Sequence, residues 1–144
     1  MAKILFVCHG NICRSVMAEY IFNYYNRNKN NTCFSRATSR EEIGNDIYYK
    51  AKEILIKNNI PFSSHRATQI TLDDYNSSDL VIIMDKNNYY NIQRIIPEVS
   101  KVHYLKEYSL GRKEDIEDPW YSNNFDLVFD EITKGVLSLI NELK

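Results

Sequence analysis

The sequence predicts an α/β fold, a parallel sheet with helices on both faces. Short apolar runs have the length and texture of strands buried on both sides. The segments between them repeat apolar residues at helical spacing. Strands and helices alternate along the chain, which calls for crossover connections and hence parallel strands.

Taken in order, Lys3 to Val7 (Lys-Ile-Leu-Phe-Val) is the first strand. A loop follows, then a helix from about Ser15 to Tyr25. Met17, Ala18, Ile21, Phe22 and Tyr25 recur on one face, and Ser15 and Glu19 suit its start. Thr32 to Ala37 is a weaker second strand, and its Cys33 reads as core. Asn45 or Asp46 is expected to cap a helix running to about Asn58, with Ala51, Ile54 and Leu55 on one face. Pro61 ends that segment. Asp79 to Asp85 (Asp-Leu-Val-Ile-Ile-Met-Asp) is the clearest strand. Lys86 to Ile96 reads as a helix leading into Pro97, and Val102 to Leu105 as a fourth strand. Leu110 to Asn124 is polar and irregular. Phe125 to Leu143 is a strong terminal helix, carried by Leu127, Val128, Ile132, Val136, Leu139 and Ile140.

Residues 1–144 fit one domain, and a chain of this length buries enough surface to need no staples. A net charge of −1 gives no support for a surface that coats nucleic acid. No apolar run approaches the length of a membrane span. The apolar stretch near Met1 is only five residues long and does not read as a signal peptide. Three cysteines cannot all pair within one chain, so a reduced cytoplasm is expected and disulfide scaffolding is not.

Ligands of such folds sit beyond the carboxyl ends of the strands, and the first strand leads into Cys8-His9-Gly10-Asn11-Ile12-Cys13-Arg14-Ser15. A loop entering a helix N-terminus aims several backbone N–H groups at one point. Gly10 and Asn11 both tolerate the left-handed backbone such a cup requires. Arg14 adds a planar fork that holds two phosphate oxygens at once. Cys8 then lies at the bottom of the cup, where helix dipoles and a guanidinium favour its thiolate. Ser15 can donate a hydrogen bond to that sulfur. The loop thus offers a nucleophile and a cradle for a tetrahedral dianion. The plainer alternative is a small buried cysteine at a strand end. A metal site at Cys8, His9 and Cys13 has the wrong spacing and no second cluster to complete it.

A phosphate monoester also needs its leaving oxygen protonated. The candidate acid is Asp118, in Glu117-Asp118-Pro119-Trp120-Tyr121. Pro119 pushes Asp118 into an extended conformation. Trp120 and Tyr121 can desolvate the acid and form a wall for an aromatic substrate. Alternatively, Asp-Pro is a common turn dipeptide and the rings anchor the loop.

These residues resemble the low-molecular-weight protein tyrosine phosphatase family over essentially the whole chain. The carriers are Ile4–Val7 followed by Cys-x-Gly-Asn-Ile-Cys-Arg-Ser, Ala18-Glu19, Ser35, His65-Arg66-Ala67, Met84-Asp85 and Asp118-Pro119. The resemblance implies a four-stranded parallel sheet in the order 2-1-3-4 with a phosphate-binding loop after the first strand. It implies hydrolysis of phosphotyrosine or another phosphomonoester through a cysteinyl-phosphate, inorganic phosphate as product, and no metal or other cofactor. By motif position Cys8 is the nucleophile, Arg14 the phosphoryl-binding residue and Asp118 the general acid, then base. His9 to Cys13, Ser15, Trp120 and Tyr121 contact substrate. Asn11 holds the left-handed turn, its side chain joined to Ser35, His65 and Asp85 in a supporting network. Cys13 is placed to form a disulfide with Cys8 under oxidation.

The sequence departs from the family pattern at four places. Val16 replaces a proline in the first helical turn, Arg36 a glycine after Ser35, Thr68 a second basic residue, and Trp120 the first of two tyrosines. His9 and Glu41 fall on variable rim positions. An arsenate reductase on the same fold needs relay cysteines that are missing beyond Cys33. A phosphocarrier needs neither Arg14 nor Asp118, and a binding module usually lacks the nucleophile or the acid.

Overall fold

Alternation along β1 (Lys3–Cys8) divides the core. Ile4, Phe6 and Cys8 face one layer, and Leu5 and Val7 face the other. The computed structural model describes residues 1–144. Its sheet has the order β2-β1-β3-β4, with β2 at Thr32–Ala37, β3 at Leu80–Ile83 and β4 at Val102–Tyr104. All three pairings are parallel. The order and the parallel sense are those the resemblance implies.

The helices are α1 (Arg14–Tyr25), α2 (Tyr49–Lys57), α3 (Leu72–Ser77), α4 (Lys86–Gln93), α5 (Leu105–Leu110), α6 (Pro119–Ser122) and α7 (Phe125–Glu142). One face of the sheet is covered by α1, α2, α5 and α7, which bring in Met17, Phe22, Leu55, Leu105, Ile132 and Val136. The other is covered by α3 and α4, through Tyr75 and Ile92. Within the larger layer α5 and α7 come close at Gly135 of α7. A methyl group there would lie 2.5 Å from Leu105 Cγ, so α5 lies against the bare backbone of α7.

Five expectations need correction. The helix expected to run from Lys86 to Ile96 ends at Gln93, with Arg94 as its C-cap. The helix expected from Asn45 or Asp46 begins at Tyr49. Asp46 is occupied elsewhere: Oδ1 accepts the N–H groups of Ile47 and His65, at 2.8 and 3.0 Å, and Oδ2 pairs with Lys52. Asn45 donates to Glu42. These side chains tie the loop to the His65 segment and leave no cap for α2. The third strand loses its two aspartates. Asp79 accepts the Lys3 N–H, and Asp85 caps α4 by accepting the Asn88 N–H at 2.8 Å. Leu105 opens α5 instead of closing β4. Finally, the polar 110–124 segment contains α6, with Asp118 as N-cap and Pro119 in its first turn. No helix is long and apolar enough to cross a membrane.

Candidate active site

β1 delivers Cys8 to the carboxyl edge of the sheet, buried at 3% exposure. The following loop folds back over it. The backbone N–H groups of Asn11 and Ser15 donate to its sulfur at 3.3 and 3.4 Å. Ser15 Oγ lies 3.0 Å from the same sulfur. The Asn11 amide donates to that Oγ at 2.9 Å, which leaves the hydroxyl hydrogen free to point at the sulfur. Two backbone donors and the Ser15 hydroxyl group thus meet one sulfur at the N-terminus of α1, an end that favours negative charge.

The loop turns on Asn11, which is buried with φ at 58°. Its Nδ2 also donates to Ser35 Oγ at 2.9 Å, its Oδ1 accepts the Thr68 N–H at 3.2 Å, and its carbonyl oxygen meets the His65 ring at 2.7 Å. Ser35 in turn donates to Glu19 at 2.5 Å. Gly10, expected to share the left-handed turn, does not have a positive φ. A Cβ there would come to 3.3 Å from Glu42 Cγ, a tight contact that asks the Glu42 side chain to give way slightly. Asn11→Ala keeps the left-handed strain and removes every side-chain bond of that amide. It is expected to cost about 2–4 kcal/mol of stability, read as a lower urea midpoint with an unchanged slope. A midpoint equal to the parent's would contradict this account of the loop.

Arg14 is 2% exposed. Its Nη1 donates to Asp85 Oδ2 at 2.7 Å and to the Ile116 carbonyl at 2.8 Å, and its Nη2 lies 3.5 Å from Asp118 Oδ2. Burial opposes its charge. The neighbouring Cys8, Asp85 and Asp118 more than offset that, raising its pKa above the ordinary arginine value. Asp85 was expected in the Asn11 network. It instead stands on the far side of the loop and orients Arg14, because its side chain is committed to the start of α4. His65 does join the network, but through the Asn11 backbone.

Asp118 is 24% exposed at its side chain and faces the same cleft. Its Oδ1 accepts the Trp120 N–H at 3.0 Å, which leaves Oδ2 aimed toward Arg14. Trp120 leans on Tyr48, with ring centroids 4.7 Å apart, and remains half exposed; Tyr121 is 83% exposed. The rings wall the cleft more than they cover the acid. Ile12 and Cys13 line its opposite side, and His9, held to Glu41 at 3.1 Å, stands at the rim. The cleft itself holds about 100 Å³ and opens at its mouth to solvent between these walls.

Cys8, Cys13 and Cys33 are free thiols. Burial, and then the charges of Cys8 and Asp118, push the Cys13 thiol well above its ordinary value, so it is neutral at pH 7. Cys33, expected in the core, sits at its margin, with its sulfur 3.5 Å from Asn23 Oδ1. Arg36 turns away from the cleft to Asp74 at 3.0 Å, while Thr68 acts through its backbone. Thr68 N–H and the Ile116 carbonyl were not foreseen because any residue type supplies them. Glu19 stood out as a helix-start residue and as part of the family pattern, with no bond to Ser35 foreseen. No three His, Cys, Asp or Glu side chains converge as a metal site.

A parallel α/β sheet with a Cys-x5-Arg-Ser anion cup after its first strand, faced by an aspartate, defines the class of cysteine-dependent phosphatases. Residues 3–144 match the model of the low molecular weight phosphotyrosine protein phosphatase family. The low molecular weight protein-tyrosine-phosphatase PtpA of Staphylococcus haemolyticus is 34% identical, over 98% of this chain and 93% of its own. The human low molecular weight phosphotyrosine protein phosphatase is 37% identical, over 86% of this chain and 83% of its own. The crystal structure of the Streptococcus pyogenes enzyme superposes with a TM-score of 0.91 at 33% identity, covering 100% of this chain and 94% of that one. The chain belongs to the low molecular weight phosphotyrosine protein phosphatase family, and its reaction is the hydrolysis of phosphotyrosine.

Proposed function

We propose that Cys8, Arg14 and Asp118 carry out this hydrolysis in two steps, with residues 1–144 acting as one catalytic domain. In the first, the Cys8 sulfur attacks phosphorus while the loop amides and the Arg14 fork hold the non-bridging oxygens. The bond from phosphorus to the phenolic oxygen breaks, and Asp118 gives that oxygen its proton. In the second, the Asp118 carboxylate takes a proton from water, the water oxygen attacks phosphorus, and the sulfur leaves as a thiolate. Inorganic phosphate is the product. The Ser15 hydroxyl stabilises the sulfur in both the attacking and the departing state.

One observation carries this reading: the Cys8 sulfur, with two backbone N–H groups aimed at it and the Ser15 hydroxyl group beside it, lies in the same cleft as Asp118 and a fully buried Arg14. Arg14 and the amides supply the positive field, so the reaction needs neither metal nor other cofactor. Ile12, Trp120 and Tyr121 favour an aromatic leaving group. The substrate is a phosphotyrosine-bearing protein, and the free thiols suit a reduced, cytoplasmic setting. The test is release of inorganic phosphate from a phosphotyrosine peptide by the pure protein with excess EDTA present. Turnover at the chelator-free rate is expected; loss of turnover would overturn the metal-free mechanism.

A further inference from the structure

Asp118 stands on a short span of chain that is fastened at both ends. At one end the Ile116 N–H donates to the Met84 carbonyl at 2.8 Å, and the Ile116 carbonyl accepts from Arg14. At the other, Phe125 is buried at the start of α7. Between them lies α6, only four residues long and too short to hold its own shape. Its place is therefore set by what it touches. Pro119 is buried, Asn123 Oδ1 accepts from Lys50 at 2.7 Å, and the Trp120 ring meets Tyr48.

Tyr48 joins this span to the phosphate-binding loop. Its backbone N–H donates to the Ile12 carbonyl at 2.9 Å, which ties its main chain to the cup. Its ring centroid lies 4.7 Å from that of Trp120 and 6.0 Å from that of Phe125. The Trp120 N–H in turn donates to Asp118 Oδ1 at 3.0 Å, the bond that leaves Oδ2 facing Arg14. A run of contacts thus leads from the loop that holds the nucleophile to the carboxyl that supplies the proton. Tyr48 itself does not line the cleft, so its side chain makes no contact with substrate there. Trp120 stands where the family pattern has the first of two tyrosines, so the Tyr48–Trp120 pair belongs to this chain and not to the pattern.

We propose that Tyr48 is a positioning residue for the general acid: its ring, braced against Trp120, sets the distance between the Asp118 carboxyl and the phosphate-binding loop. The inference rests on the phosphatase reading above and deepens it. Proton transfer demands close placement, and a displacement of about 1 Å costs on the order of 10²-fold. Loss of the Tyr48 ring leaves the amide bond to Ile12, and with it the cup, in place. It frees Trp120 to move, and Asp118 moves with it. The step that suffers is protonation of the leaving oxygen, which matters most where that oxygen is a poor leaving group.

Trp120 is the only tryptophan in the chain, so its fluorescence reports the contact directly. In Tyr48→Ala its emission is expected to move to longer wavelength and to be quenched more readily by acrylamide. Tyr48→Phe keeps the ring and is expected to match the parent protein in fluorescence and rate. For Tyr48→Ala, kcat/KM on phenyl phosphate is expected to fall about tenfold, and on p-nitrophenyl phosphate by less than about twofold. The inhibition constant of inorganic phosphate, which reads the cup, is expected to stay at the parent value. Added to Asp118→Asn, Tyr48→Ala is expected to slow phenyl phosphate no further, because the group it places is already gone. Unaltered fluorescence in Tyr48→Ala would overturn the proposal, as would an equal fall on the two esters. So would a phosphate constant that worsens in step with the rate, or a further tenfold loss on top of Asp118→Asn. Failure of the parent protein to hydrolyse either ester would instead overturn the phosphatase reading itself, whatever the fluorescence showed.

Discussion

The Cys8→Ser protein is expected to lose at least about 10⁴-fold in kcat on p-nitrophenyl phosphate while still binding inorganic phosphate. The loss follows from what the loop stabilises. Two amide N–H groups and the Ser15 hydroxyl point at one sulfur, and a helix N-terminus lies behind them. These donors face the sulfur that attacks, and a thiol gives up its proton far more readily than an alcohol does. A serine hydroxyl keeps its proton under the same field, and no nearby base removes it, since Asp118 is reserved for the leaving group. Oxygen is smaller than sulfur, so the substitution leaves the cup and Arg14 in place. Retained phosphate binding is what separates a missing nucleophile from a collapsed loop. Turnover within tenfold of the parent enzyme would remove Cys8 from its role.

The second large effect is at Asp118. Asp118→Asn is expected to slow hydrolysis of phosphotyrosine and phenyl phosphate by about 10²–10⁴-fold and p-nitrophenyl phosphate by much less in the bond-breaking step. A phenolate needs the proton at once, whereas p-nitrophenolate leaves without it. Asparagine is the informative replacement because Asp118 is also the N-cap of α6, accepting the Trp120 N–H through Oδ1. An amide oxygen keeps that bond and cannot donate a carboxyl proton. Asp118→Ala removes the cap as well and adds a stability cost of about 1 kcal/mol. An equal fall on good and poor leaving groups in Asp118→Asn would make Asp118 a structural residue.

The chemistry at Cys8, Arg14, Ser15 and Asp118 was legible because side-chain type carries it. A thiol, a guanidinium and a hydroxyl between a strand and a helix state an anion cup in residue letters alone. Asn11 was legible too, since few residues accept a left-handed backbone. What remained hidden was carried by backbone or by direction. The Thr68 N–H and Ile116 carbonyl have no residue-type signature. Asp85 was recognised, but which of two neighbours it holds depends on which way it leaves β3, and a linear spacing does not specify that. The Trp120 ring belongs to the same class: its tilted contact with Tyr48 joins α6 to the start of α2, far apart in sequence.

The fold shows the same division. β1, β2, α1 and α7 were read with ends within a residue or two because their apolar periodicity spans several turns or a full strand. α3 and α5 are six residues each, too short to establish a period, and were passed over. The start of α2 was displaced because Asp46, a good cap by type, is used in tertiary bonding to His65 and Lys52. Local preference yielded there to a contact between segments nineteen residues apart.

The account turns on a covalent phosphoryl-cysteine. It is tested most directly by mixing the Asp118→Asn protein with p-nitrophenyl phosphate, quenching in acid within the first turnovers, and mapping the modified peptide by mass spectrometry. The good leaving group lets the first step proceed, while loss of the base delays the second. A burst of p-nitrophenol with one phosphoryl group on Cys8 is the predicted result. Phosphate released without a burst, and with Cys8 unmodified at every quench time, would contradict it.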